Sequence, residues 1–261
     1  RSKPYSTKVG YSDRAKAVSW AWVPEVWAVS GGWHDAVERL DVHRVTKRRV
    51  QRDTVVRAEP AANLADLIKT ISNPSIALVT LTITEAGYQP TSTELSETAL
   101  GRLLLGLKAR YSNGTKIALV PCDNLPSNGE VLKNALLTLA QNEDSGFIEY
   151  LNSLSYVTTS IDRITPKTTQ ADVDLVMAKT GFSDSSPVVT EPFRDWVLEG
   201  EFPLGRPKWE SAGARFVSEI EPFENRKLWL LNGAHTLMAL FGTLRGHQSV
   251  DQAIQDEEVL L

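Results

Sequence analysis

The sequence predicts an α/β protein, a parallel sheet covered by helices and followed by a mainly helical region. Three observations lead to this reading. Residues 76–83 and 116–121 are apolar runs rich in Val, Ile and Leu without alternation, as expected of strands covered on both faces. The segment between them places Leu95, Ala99, Leu103 and Leu107 on one helical stripe, with Thr91 or Ser92 as cap and Asn113-Gly114 as stop. Beyond Pro166 the texture changes: Pro187, Pro192, Pro203, Pro207 and Pro222 punctuate a Trp- and Phe-bearing stretch before helical periodicity returns.

Taken in order, residues 17–59 are the hardest to place. Trp20, Trp22, Trp27 and Trp33 crowd their first half, and a Val-Arg-Val alternation reads as edge strands. The strand, helix and strand of 76–121 form a βαβ unit of a parallel sheet, with helices on both faces. The loop 122–129 leads into a helix over about 130–141, and a short third strand over 155–159 precedes Asp162-Arg163. Residues 1–166 therefore read as a nucleotide-binding domain and 167–261 as a helical substrate domain, with the crossing over 166–191. No internal repeat is visible.

Composition narrows the function classes. The 261 residues carry a net charge of −4, with basic residues scattered except for Lys47-Arg48-Arg49 and Arg52, a run that reads as a solvated strand or loop. Nucleic acid is not an expected partner. The apolar stretches are too short to span a bilayer, and no secretory signal is recognisable. The single Cys122 suits a reducing cytoplasm. The four histidines, at 34, 43, 235 and 247, have no zinc-ligand spacing, so no metal is expected.

The chemistry concentrates in Lys227-Leu228-Trp229-Leu230-Leu231-Asn232-Gly233-Ala234-His235. On an α-helix Lys227, Asn232 and His235 fall at roughly 0°, 140° and 80°, and Glu224 at about 60°. All four can face one cavity. A lysine in apolar company loses hydration, which disfavours its charged form and can make it a general base without a metal. The bland alternative is an amphipathic helix with a snorkelling lysine and a satisfied histidine.

Those residues and four further blocks in order carry a resemblance. The blocks are TITEAGY at 82–88, CDNLPSNG at 122–129, IDRITP at 161–166 and EPFRDWVLEGEFPLGRPKWESAG at 191–213. Together they resemble the mannitol dehydrogenase family, the polyol-specific long-chain dehydrogenases and reductases. The resemblance is clear from about Pro74 onward. It implies a Rossmann-like sheet domain, NAD or NADP as cofactor, and hydride transfer between a polyol secondary alcohol and a ketose without metal. Mannitol and fructose come first as the substrate pair, and fructuronate and mannonate follow, ahead of tagaturonate and arabinitol. A monomer acting on a small polyol, ketose or sugar acid is expected.

Within that resemblance Lys227 is the candidate base, and Asn232 and Asn124 are the donors to the substrate oxygen. His235 fixes a hydroxyl or holds Lys227, and Glu224 relays protons or pairs with Lys227. Loops at strand ends should meet the cofactor, which nominates Thr82, Thr84 and Glu85, then Asn124 and Asn128, then Ile161 and Asp162. Asn128 reads equally as a helix cap, and Asp162-Arg163 as an internal pair. Phe193, Trp196, Phe202 and Trp209 are expected to pack between domains. Cys122 reads as a small strand-end residue. Two family features are missing: there is no G-x-G-x-x-G, and the helices expected past the Lys-Asn-His segment do not follow. The sequence therefore reads as lacking the first strand and glycine-rich turn, with a truncated C-terminal domain. A catalytically silent fragment or interaction module is the competing class.

Overall fold

The computed structural model describes residues 16–20, 26–30, 55–60, 63–89, 92, 94–181, 183–184 and 187–260. Gly31-Gly32, the basic run at 47–52, Trp22, Trp33 and Thr91 lie outside them. The first unit spans Arg1–Ser218 and the second Glu219–Leu261.

The first unit is built on a mixed six-stranded sheet in the order β3-β2-β1-β4-β5-β6. Its parallel part joins β1 (Lys16–Trp20), β4 (Ile76–Leu81), β5 (Ala118–Pro121) and β6 (Ser155–Tyr156). On the other side of β1, β2 (Val26–Ser30) and β3 (Val55–Pro60) add antiparallel. Of the strands expected at an edge, only β3 is one; β2 lies between β3 and β1, and β1 between β2 and β4. The predicted pair at 76–83 and 116–121 is parallel and adjacent.

Helices α1 (Leu64–Ser72), α3 (Ala99–Tyr111), α4 (Asn128–Leu139) and α5 (Ser145–Asn152) bury one face of the sheet, while α2 (Thr84–Gly87) is a single turn after β4. Leu67, Ile71, Leu100, Leu103, Leu104, Leu107, Leu132, Leu136 and Phe147 close on Ile76, Val79, Leu81 and Leu119. The 91–114 helix starts later than expected, because a 3₁₀ turn (Leu95–Glu97) precedes α3 and Thr98 accepts the Gly101 N–H as its cap, at 3.0 Å. At the amino ends of the strands Arg110 is fully buried. It donates to the carbonyls of Ile71, Asn73, Ile76, Thr115 and Lys116 at 2.7–3.0 Å.

The opposite face departs from the expected helices. Ala77, Leu78, Ala118 and Val120 pack there against Val157, Leu198, Trp209 and Ala214. Leu198 lies on β8 (Asp195–Glu199) of a three-stranded sheet with β7 (Thr158–Asp162) and β9 (Arg215–Phe216), Trp209 opens the 3₁₀ turn Trp209–Ala212, and Val157 and Ala214 directly precede β7 and β9. The chain leaves β6 through Val157 straight into β7, which pairs antiparallel with β8. This also moves the border between units. It falls at 218/219 instead of 166/167, because β8 and β9 return to β7 and extend the first unit's core. Between β7 and β8 lies α6 (Gln170–Thr180), which buries none of its residues.

The aromatics expected between domains pack inside the first unit. Trp196 lies 4.7 Å from Trp209, Phe202 sits edge-on to Trp209 and Phe216, and Arg206 covers the Phe216 ring. Phe193 is exposed.

The second unit is one unbroken helical run followed by two short helices. Helix α7 (Glu221–Arg226) passes into a π-helical segment, Lys227–Asn232, and then into α8 (Gly233–Leu244); α9 (Val250–Ala253) and α10 (Glu257–Leu260) follow. Arg245 pairs with Asp256 and Glu258, and His247 lies 2.8 Å from Asp256. Among the described residues no helix is long and apolar enough to cross a membrane.

Candidate functional site

The nominated cofactor residues of the first unit sit on three segments at the carboxyl end of its parallel strands, and side chains tie these segments together. The β4 loop enters α2 at Thr84, which holds a left-handed backbone, φ 62°. For a β-branched residue that conformation costs energy and requires outside support. Asp123, from the loop after β5, supplies it. Its carboxylate accepts from the Ile83 N–H at 3.0 Å, the Thr84 N–H at 2.8 Å and the Tyr88 hydroxyl at 2.6 Å. Tyr88 is buried, and burial, reinforced by Asp123, raises its hydroxyl above the usual range, which keeps it a neutral donor.

The β5 loop is tied to β7 in turn by Asn128. The Asn128 amide donates to the Asp123 carbonyl at 3.0 Å and to the Thr159 carbonyl at 2.8 Å, and its oxygen accepts the Thr159 N–H at 2.9 Å. The Thr159 hydroxyl then reaches the Pro121 carbonyl at 2.6 Å. Next to Asn128 the backbone comes too close for a side chain. A methyl group on Gly129 would stand 2.7 Å from the Thr158 hydroxyl and 3.1 Å from the Tyr156 carbonyl. The start of α4 is pressed onto the β6–β7 passage, and only glycine permits it.

The nominated residues therefore divide. Thr82 and Thr84 are half-buried, Glu85 and Asn124 are exposed, and Ile161 and Asp162 are half-buried at the end of β7. Asn128 is fully buried, with both ends of its amide bonded inside the protein. It is neither a ligand group nor a side-chain cap of α4, whose N-cap is Ser127, itself left-handed at φ 49°. Cys122 is half-buried beside this network. Burial, with Asp123 adding to it, pushes its thiol up to about 12, which removes it as a nucleophile at neutral pH.

In the second unit the decisive feature is helical geometry. The Gly233 N–H bonds to the Leu228 carbonyl, five residues back, where an α-helix would bond four back. Five residues then make one bonded turn. Over such a segment each residue turns by less than the 100° of an α-helix, so Lys227 and Asn232 stand at a smaller angle than the roughly 140° that α-helical pitch would give. His235, three residues on in α8, is the neighbour of Asn232 on the same stripe. Lys227, Asn232 and His235 are half-buried, as is Glu224, one α-helical turn before Lys227. Of the apolar residues between Lys227 and Asn232, Leu228, Trp229 and Leu230 are exposed, Trp229 at 72% and Leu230 at 69%, while Leu231 is half-buried. Among the described residues no group of three or more His, Cys, Asp or Glu side chains is placed to hold a metal.

Sequence reasoning missed Asp123, Tyr88, Thr159 and Gly129. Asp123 stands beside the nominated Asn124, but its bonds reach back 35 to 40 residues, and no local pattern announces such partners.

Residues 36–211 match the family model described as the mannitol dehydrogenase Rossmann domain, and 219–260 the mannitol dehydrogenase C-terminal domain. A mannitol 2-dehydrogenase of Cereibacter sphaeroides is 35% identical over 212 residues, 74% of this chain and 44% of its own length. The D-mannonate oxidoreductase of Escherichia coli K12 is 32% identical over 208 residues, 72% and 43% of the two chains. Among solved structures, the Pseudomonas fluorescens mannitol 2-dehydrogenase in ternary complex with NAD and D-mannitol superposes with a TM-score of 0.68 at 32% identity, covering 81% of this chain and 49% of that one. The chain spans less than half the length of the relatives it matches. By these matches, and by its parallel sheet and helical second unit, the chain belongs to the mannitol dehydrogenase family.

Proposed function

We infer that this chain carries the reacting groups of an NAD(P)-dependent, metal-independent oxidoreductase that interconverts a polyol secondary alcohol and a ketose. The observation that supports it most is the π-helical turn, a feature that concentrates at functional sites. Lys227 and Asn232 lie on it, His235 follows three residues after Asn232, and all three are half-buried.

The residues at the strand ends suit a nicotinamide dinucleotide. Thr82, Thr84, Glu85, Asn124, Ile161 and Asp162 offer hydroxyl, amide, carboxylate and backbone groups matched to ribose hydroxyls and a carboxamide. The bound cofactor supplies the hydride acceptor. Lys227 takes the proton from the substrate hydroxyl as general base. Asn232 and Asn124 donate to the substrate oxygen as charge develops on it, and an amide does so at any pH. His235 orients the hydroxyl or Lys227, and Glu224 passes the proton on or pairs with Lys227. Mannitol is the first substrate and fructuronate or mannonate the second, since relatives bearing both activities match to a similar degree.

The test is an absorbance assay of the complete gene product with NAD or NADP and a panel of mannitol, sorbitol, arabinitol and mannonate, with and without a chelator. Cofactor reduction that survives chelation is expected. Absence of activity on every substrate, or its abolition by chelator, overturns this reading.

A further inference from the structure

We propose that Asp123 is a positioning residue, whose carboxylate locks the left-handed Thr84 turn and so sets the register between the Thr82–Glu85 loop and Asn124. The proposal rests on the function inferred above. Its geometry stands on three bonds from one half-buried carboxylate: to the Ile83 and Thr84 amides and to the buried Tyr88 hydroxyl. Thr84 has no intrinsic reason to hold φ 62°, since a β-branched side chain disfavours that region. Two amides accepted by one carboxylate supply the reason, because charge-assisted bonds are the strong ones.

The same residue is fixed from behind. Its carbonyl accepts the Asn128 amide at 3.0 Å and the Leu125 N–H at 2.9 Å, and the preceding Cys122 N–H bonds the Leu81 carbonyl at 2.7 Å. Asp123 is thus held on both its main chain and its side chain, with exposed Asn124 following directly. A shift of the carboxylate moves the Thr84 turn on one side and the Asn124 donor on the other. A misplacement of about 1 Å can cost about 10²-fold in rate when it falls between reacting partners.

Asp123→Asn keeps the shape but turns one acceptor oxygen into a donor facing an N–H. Measured on the complete gene product, amide hydrogen exchange at Ile83 and Thr84 should speed up at least about tenfold. The Kd for NAD should rise about tenfold and kcat fall about 10²-fold, with the apparent pKa of the rate profile unmoved, because Lys227 is untouched. Thr84→Gly added to Asp123→Asn should recover part of the cofactor affinity, since glycine adopts φ > 0 without support. Tyr88→Phe separates a packing role: it removes one of the three bonds and should shift Kd less than about threefold.

Unchanged exchange at Ile83 and Thr84 in Asp123→Asn overturns the proposal whatever the activity. A lowered Tm with Kd and kcat within twofold of the parent also overturns it, leaving Asp123 a purely structural residue. A parent protein that binds neither NAD nor NADP overturns the function inferred above and the positioning role with it. Binding by the parent that Asp123→Asn leaves intact overturns the positioning role alone.

Discussion

The loops at the carboxyl edge of the first unit and the helix of the second hold their polar residues by opposite means. In the loops, Asp123 and Asn128 reach residues 31 to 40 positions away. They stand above a core in which Leu67, Ile71, Leu103, Leu107, Leu119 and Phe147 are fully buried. In the helix, Lys227 and Asn232 lie on a π-helical segment shaped by its own backbone bonds, and His235 lies in the α8 turn that follows. Little is buried around them: among described residues 219–259 only Ile220, Gly242 and Ala253 are buried, while Leu237, Leu240, Phe241 and Leu244 are exposed. The first arrangement depends on distant partners and a packed scaffold, the second on local hydrogen bonding. Substitutions in the two regions should therefore fail in different ways.

The largest effect is expected at Lys227. In the complete gene product Lys227→Ala should lower alcohol oxidation by about 10²–10⁴-fold, the usual contribution of a positioned general base. Its Tm should stay within about 2 °C of the parent, because a half-buried side chain on a locally held helix leaves little unsatisfied. An added primary amine should restore part of the rate. Near-parental oxidation by Lys227→Ala ends the general-base assignment.

Arg110→Ala tests the opposite arrangement, with stability as the readout. It strips the guanidinium from five buried-edge carbonyls and leaves a void where a fully buried side chain stood. Urea denaturation should show a loss of about 3–5 kcal/mol. A loss below about 1 kcal/mol would mean that water replaces the guanidinium and that the first unit is less closed than its geometry implies.

Cys122 gives a smaller effect within the first unit. With its thiol pushed up to about 12 by burial, it should resist iodoacetamide at pH 8 and react only on denaturation. The folded state holds its proton where the unfolded thiol, at its ordinary value near 9.0, has lost it. Stability should therefore decline as pH rises from about 9 and level off above about 12. Thermal melts across that range, compared with Cys122→Ser, isolate this share; parallel curves for the two proteins would contradict it.

The smallest effect belongs to the helix surface. Trp229 is 72% exposed, so Trp229→Ser should change stability by less than about 0.5 kcal/mol. A loss above about 2 kcal/mol would show that this side of the helix is covered in solution, and the contrast between the two regions would then need revision.

Much of this was legible in the sequence. The unalternating runs at 76–83 and 116–121 announced parallel strands, because a strand buried on both faces leaves no polar positions. The blocks at 82–88 and 122–129 follow β4 and β5, at the carboxyl ends of that parallel pair, as a strand-to-loop reading of the sequence expects. Other features were not legible. The central place of β1 was hidden because alternation reports one exposed face and not which strand lies alongside. The second sheet was hidden because 32 residues separate β7 from β8, among them α6 and the prolines at 166, 187 and 192.

By itself, then, the sequence determined the family blocks and the parallel pair of β4 and β5, since both follow from local composition and spacing. The tertiary structure decided what each polar residue does. Asn128 and Asn124 are four positions apart on one loop and chemically the same. One is spent wholly inside the protein and the other is exposed, because Thr159 happens to meet the first. Asp123 became the tie between loops through partners 35 to 40 residues away. The segment that carries Lys227 and Asn232 took a π pitch, where the sequence read as an α-helix. Hydrogen-bond partners and helical pitch are properties of the folded backbone, and no single residue's identity encodes them.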